Sequence, residues 1–299
     1  MTYELYSAES VNAGVVRILQ EEVAGALQQL AFKKNSSTTR IHESRKHLKK
    51  ARSVIRLIRS GVATDLRKEM MRSLRNAGRA LSPFREMDAH LECLTAVRKG
   101  VREQPMKRTL HTVQQYISRE DIPQQEALQD AIAKAVNFIE AARGRVKNCN
   151  LDGVTLPVIA NGIAVSYRDS RRIYNNLMQQ PEPVLLHEWR KRVKDLRYQT
   201  AIITNAWPAI LRTQEAELHV LTDHLGLVHD IALLVKLLEK GMWSGISART
   251  RSKALVCTSE RYQQEQAAAF QLGSRLFSEK TGCFRKRFSR YLQIWKTEK

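Results

Sequence analysis

The chain has 299 residues, with 50 lysines and arginines against 30 aspartates and glutamates, a formal net charge of +20. A hydrophobic share of 43 % with only 6 % aromatics excludes a disordered basic tail and a membrane protein as the main description. The length admits two domains, or one domain built twice.

Scarce glycine (13) and proline (7) argue against turn-rich β architectures. Four scattered cysteines, with no C-x-x-C pair and no leader ahead of them, suit a reducing cytoplasm. No run approaches the roughly 18 apolar residues that span a bilayer, so no membrane partner is expected.

Taken in chain order, apolar residues recur at helical spacing, beginning with Val11, Val15, Val16, Leu19, Val23, Leu27 and Leu30. The first helix is expected over 7–32 and the second over 38–60; their counterparts later in the chain are expected over 153–178 and 183–205. Breaks are expected at 33–39, 60–61, 82–83, 100–105, 121–123, 148–153, 180–183, 207–208, 226, 241–245 and 281–282. About a dozen helices with short connections result, an all-α chain of antiparallel bundles.

An internal repeat organises them. Residues 41–52 (IHESRKHLKKAR) align without a gap on 186–197 (LHEWRKRVKDLR), 145 residues further on, and every identity is a charged residue or His. A weaker match sets 81–86 on 225–230 at an offset of 144. Two homologous halves, 1–150 and 151–299, follow. A pseudo-two-fold pairing would bring both stripes to one central basic cavity or pore.

On a helix, His42, Arg45, Lys46, Lys49, Arg52 and Arg56 fall within one arc, while Ile41, Leu48, Ala51, Ile55 and Ile58 supply the adjoining core face. His187, Arg190, Lys191, Lys194 and Arg197 repeat the polar arc, and Leu186, Trp189, Val193 and Leu196 the apolar one. Cations three and four residues apart repel, so such a face calls for an anion. From His42 to Arg56 the stripe extends about 21 Å, which suits a linear polyanion better than one compact phosphate. Arg forks, Lys charges and His donors together describe a groove for phosphate oxygens.

Arg168, Arg171 and Arg172 are expected within reach of the second stripe, and Arg79 and Arg85 in the comparable neighbourhood of the first. Glu86, Asp88 and Asp230 are placed near helix starts. Glu43 and Glu188 read as local partners of Lys46, Lys191 or His47. His219, His224 and His229, with Asp223 and Asp230, raise the question of a metal, but five-residue spacings scatter the three around a helix, so they read as satisfied or surface histidines. Trp189 reads as a core anchor beside Tyr167 and Tyr198. No P-loop, dinucleotide fingerprint or G-x-S-x-G occurs, so no cofactor and no catalytic residue is expected.

The doubled motif, His42-x-x-Arg45-Lys46-x-x-Lys49-x-x-Arg52 and His187-x-x-Arg190-Lys191-x-x-Lys194-x-x-Arg197, resembles the CHAD family, the conserved histidine alpha-helical domain. Leu225-Gly226-x-x-His229-Asp230 and the Arg168 to Arg172 cluster support the likeness over nearly the whole chain. It implies two helical halves around a basic pore and binding of inorganic polyphosphate, often with recruitment to polyphosphate granules, and hence a granule-associated cytoplasmic protein. In the first half Ser82 and Glu86 stand where the family often has Gly and Asp. No CYTH-type triphosphatase domain precedes the repeat, which argues against catalysis in cis. A homo-oligomer or a docked phosphate-metabolism enzyme stays open. The alternatives are a nucleic-acid-binding protein, supported by the charge alone, and a phosphohydrolase working through Glu86, Asp88 or Asp230 with Mg²⁺.

Overall fold

In the computed structural model, which describes residues 3–32, 34–120, 125–243 and 245–298, the helical periodicity becomes eleven α-helices with no strand among the described residues. In the first half these are α1 Val11–Ala31, α2 Ser37–Leu57, α3 Thr64–Ala80, α4 Pro83–Gly100, α5 Gln104–Glu120 and α6 Gln125–Lys147. In the second they are α7 Leu156–Gln179, α8 Pro183–Ile202, α9 Pro208–Glu239, α10 Ala248–Leu276 and α11 Thr281–Thr297. Ser10, Ser36 and Ser247 cap α1, α2 and α10 by accepting a backbone N–H three residues on, while α4, α7, α8 and α9 begin with a proline in the first turn. The expected break at 121–123, and residues 33 and 244 of two other breaks, lie outside the described residues.

One expected break is absent. Helix α9 continues through Gly226, whereas the aligned Ser82-Pro83 separates α3 from α4. Proline lacks the N–H and clashes with the preceding turn, so it ends a helix. A lone glycine costs only about 1 kcal/mol, which the buried neighbours Leu225 and Val228 offset. In the alignment of 81–86 on 225–230, the junction of α3 and α4 thus lies opposite the interior of the single helix α9.

Several contacts have counterparts across the two halves, α1 on α2 as α7 on α8, α2 on α3 and α4 as α8 on α9, α1 on α6 as α7 on α11, and α4 on α5 as α9 on α10, but the close packing of α3 on α6 has no comparable counterpart between α9 and α11. The larger core draws on α1, α2, α3, α6, α7, α8, α11 and the first part of α9, with Trp189, Tyr167 and Phe284 fully buried in it. A smaller distal core joins Leu94 and Val97 of α4, Leu110 and Val113 of α5, and Ile231, Leu234 and Leu238 of α9 to the start of α10. Both cores therefore draw on residues from either side of position 150. Helix α9 threads both, and this explains its apolar character: an 18-residue window reaches a mean hydropathy of 1.3, enough by length and composition to cross a bilayer, in a helix that packs on α4, α8 and α10.

The crossing that sets up the site is α2 against α7 and α8. A Cβ at Gly162 of α7 would collide with the Leu57 carbonyl oxygen at the end of α2, so only glycine permits this approach.

Candidate functional site

Helices α2 and α8 meet at buried polar contacts. The Ser53 hydroxyl donates to the Asp195 carbonyl at 3.0 Å, and the Gln199 amide donates to the Ser53 carbonyl at 3.3 Å. With that crossing fixed, the two charged arcs face each other. A central cavity of about 310 Å³ is lined by Arg45, Lys49, Arg52 and Arg56 of α2 and by His187, Arg190, Lys191 and Lys194 of α8. Asp195, Tyr198 and His229 complete its wall. A second cavity of about 520 Å³ adjoins it and holds His42, Lys46 and Arg197; the two share Lys49, Lys194 and Tyr198. The structure thus brings both predicted stripes, in full, to a basic hollow made of two adjoining cavities.

Several of these cations are already engaged. Lys46 pairs with Glu43 at 3.3 Å and Lys191 with Glu188 at 2.6 Å, the local pairing the spacing predicts. Arg197 pairs with Glu215 at 2.7 Å, and Arg56 reaches Asp195 at 2.8 Å. Arg45 donates to the Gly78 carbonyl and, at 2.8 Å, to the Ser82 hydroxyl. His47 turns away from Glu43 to Glu22 of α1 at 2.7 Å, because it lies on the side of α2 that packs on α1.

Four cations remain. Among the described residues Lys49 and Arg52 of α2, and Arg190 and Lys194 of α8, have no ion-pair or hydrogen-bond partner, and the Nε atoms of both arginines are buried without one. Their environment disfavours charge. Burial first, then Lys194, Arg45 and Arg190, push the Lys49 ammonium down to about 6. Burial and the neighbouring Arg190 and Arg197 push Lys194 to about 8. Burial, then Arg56, brings Arg52 to about 10. His42 and His187 are both lowered, by burial ahead of the cations beside them. A polyanion entering the hollow reverses each repulsion at once.

The remaining sequence candidates sit elsewhere. Arg85 pairs with Glu92 and lies close enough to lower His42 and Arg45. Arg79 is exposed on α3 and lines neither cavity. Of the α7 cluster, Arg168 pairs with Asp169 at 2.9 Å, Arg171 donates to the Phe277 carbonyl at 3.0 Å, and Arg172 is exposed; none lines the hollow. They share a helix with Tyr167, and that helix turns its core face to α11, which carries the cluster away from the stripes.

Glu86 does occupy the first turn of α4, and Asp88 follows within the same helix. Asp230, expected near a helix start, lies well inside α9 because Gly226 does not break it; burial raises its pKa against the pull of Arg190, Arg85, His90 and Lys49.

The three histidines of α9 find three different partners. His219 pairs with Asp223 at 2.9 Å, His224 with Glu265 of α10, and His229 with His187, ring to ring at 4.3 Å. His229 is therefore a cavity residue that sequence reasoning missed, and burial with Arg190 pushes it down to about 4. Its signal was the alignment of 81–86 on 225–230, which places it four residues beyond Leu225 as Arg85 is beyond Leu81.

The family model described as the CHAD domain matches residues 17–239. Among solved structures, the fold is similar to the crystal structure of the CHAD domain from the plant Ricinus communis, with a TM-score of 0.53 and 12 % identity over 95 % of this chain and 93 % of that one. At that identity the likeness is one of fold. No curated protein matches.

Proposed function

The chain belongs to the CHAD domain family, and from that premise and the chemistry of its hollow we propose that it binds inorganic polyphosphate without acting on it. The observation that carries the reading is the set Lys49, Arg52, Arg190 and Lys194: four cations from two helices, facing one space, with no ion-pair or hydrogen-bond partner among the described residues. A polyanion is the ligand that relieves all four. The two adjoining cavities, joined at Lys49 and Lys194, offer a path rather than a single pocket, and a condensed phosphate chain presents anionic oxygens at each unit along such a path. Each charge-assisted hydrogen bond contributes about 1.5–3 kcal/mol before desolvation and ordering, so a few such contacts give firm binding.

On this reading the protein is a cytoplasmic binder that collects on polyphosphate granules, and Asp230 and Glu86 orient cations rather than perform hydrolysis. The test is a calorimetric titration with long-chain polyphosphate at moderate salt. Lys49→Ala with Lys194→Ala is expected to lower affinity at least tenfold with helical circular dichroism intact. Unchanged affinity overturns the reading. So does displacement of polyphosphate by duplex DNA or RNA at equal phosphate, which favours a nucleic-acid partner, or Mg²⁺-dependent phosphate release that needs Asp230 or Glu86.

A further inference from the structure

A third cavity, of about 430 Å³, opens where the end of α2 meets α3 and α8. Its walls carry Arg56 and Arg59 of α2, Arg67, Arg72 and Arg75 of α3, and Arg192 of α8. Only Arg56 belongs to the predicted stripes, and it lies beyond the doubled motif. Three helices form this basin, whereas two facing rows form the central hollow.

Asp195 stands between the two. It lines the central cavity, yet its carboxylate holds Arg56 at 2.8 Å and Arg192 at 3.3 Å, and both of those line the basin. A carboxylate in the dividing wall repels a phosphate chain that would pass from one compartment to the other. The basin is accordingly a separate anion compartment that touches the first through Arg56.

Its unpaired charge lies on α3. Arg67, Arg72 and Arg75 have no ion-pair or hydrogen-bond partner among the described residues, and the Arg67 Nε is buried without one. Arg75 is near enough to push down both Arg52 and Arg56. A buried guanidinium donor without an acceptor is costly, and like charges on one helix face add to the cost. Both are removed by an anion with several acceptor oxygens.

The side-chain chemistry narrows the anion. Apart from Lys68 the basin's cations are all guanidinium groups, rigid forks that match two oxygens of one phosphate. An internal unit of a condensed chain has one ionisable oxygen; an end group has two. We propose that the basin is a second anion site, selective for doubly ionised phosphate groups: short condensed phosphates such as pyrophosphate, or the free ends of longer chains.

Calorimetry with inorganic pyrophosphate tests this independently of the central hollow. Pyrophosphate binding is expected to persist in Lys49→Ala with Lys194→Ala and to fall at least tenfold in Arg72→Ala with Arg75→Ala; both arginines are exposed, so the fold is retained. Arg72→Lys with Arg75→Lys keeps the charge and removes the forks, and it too is expected to weaken binding severalfold. Pyrophosphate affinity that follows Lys49 and Lys194 instead, or ignores Arg72 and Arg75, overturns the proposal. A competition arm in the Lys49→Ala, Lys194→Ala protein separates the sources. Displacement of pyrophosphate by long chains with free ends but not with esterified ends supports chain-end binding, and displacement by neither supports short phosphates alone. Equal displacement by both overturns the selectivity.

Discussion

The stripes of α2 and α8 spell nearly the same motif, yet their residues meet different fates. Arg45 is tethered to the Gly78 carbonyl and the Ser82 hydroxyl, whereas its counterpart Arg190 lies beside Gly226 with no hydrogen bond. At the next matched arginine pair the roles reverse: among the described residues the Arg52 side chain is unpartnered and Arg197 is held by Glu215. Each stripe therefore gives the hollow one free guanidinium and one free ammonium: the ammonium groups, Lys49 and Lys194, come from the same position of the repeat, and the guanidinium groups, Arg52 and Arg190, from different ones. A cation's availability is set by what the neighbouring backbone and acids offer it, not by its place in the motif.

The largest expected difference between the stripes concerns stability at another matched pair, Lys50 and Asp195. Asp195 is buried and serves both Arg56 and Arg192, so Asp195→Ala is expected to cost about 3–5 kcal/mol in urea unfolding, because it leaves two partly buried guanidinium groups without their carboxylate. Lys50 meets Glu22 at 3.4 Å, and Glu22 keeps His47 when Lys50 is removed; Lys50→Ala is expected to cost about 1 kcal/mol or less. Equal losses would show that sharing of Asp195 does not hold α2 to α8.

Next in size are effects on polyphosphate binding. Arg190→Ala is expected to lower affinity about tenfold without moving the thermal midpoint, since the Arg190 side chain makes no hydrogen bond or ion pair among the described residues. Arg45→Ala is expected to act the other way round, lowering the midpoint by about 2–4 °C with a smaller loss of affinity, as α2 loses its tie to the turn between α3 and α4. Paired calorimetry and thermal melts check both. If Arg45→Ala leaves the midpoint in place and matches Arg190→Ala in affinity, the tether is not what separates them.

The central lysines differ in the pH at which they charge. An anion binds the protonated amines, so where the free protein has lost a proton, binding must take one up. With Lys49 at about 6, affinity is expected to fall as pH rises from 6 to 8, by at most tenfold per pH unit; Lys194, at about 8, adds a second fall above that. Lys49→Arg is expected to flatten the lower part of the profile and Lys194→Arg the upper part. A wild-type affinity constant from pH 6 to 8 would contradict the lowering of these amines by burial and by the cations beside them.

Periodicity and the repeat made the fold class, the helix boundaries near the stripes and the core role of Trp189 legible, because these depend on local spacing. Trp189 is fully buried against Tyr174, Phe270 and Phe277. What depends on tertiary partners stayed hidden. Arg171 carries the same charge as Arg190, but a carbonyl at the end of α10 claims it. His229 looked like one of three scattered histidines until the α8 and α9 packing set it on His187. The α3 arginines were visible at spacings of five and three residues, yet without the α2 crossing nothing made Arg67, Arg72 and Arg75 one wall with Arg59 and Arg192. The distal core, built from α4, α5, α9 and α10, needed contacts across more than a hundred residues.

The smallest expected effect tests why the stripes diverge. Gly226 lies within a helix, so Gly226→Ala is expected to add about 0.5–1 kcal/mol of stability. Its methyl group would sit 3.4 Å from the Arg190 guanidinium, an ordinary contact, so polyphosphate affinity should hold. Gly226→Ser places at this point the residue that stands at 82 in the first half. If the Ser82 hydroxyl is what restrains Arg45, the new hydroxyl gives Arg190 an acceptor, and affinity is expected to fall about twofold to fivefold below that of Gly226→Ala. Equal affinity in the two variants would assign the restraint of Arg45 to the Gly78 carbonyl, and so to the helix break at Pro83 rather than to the serine before it.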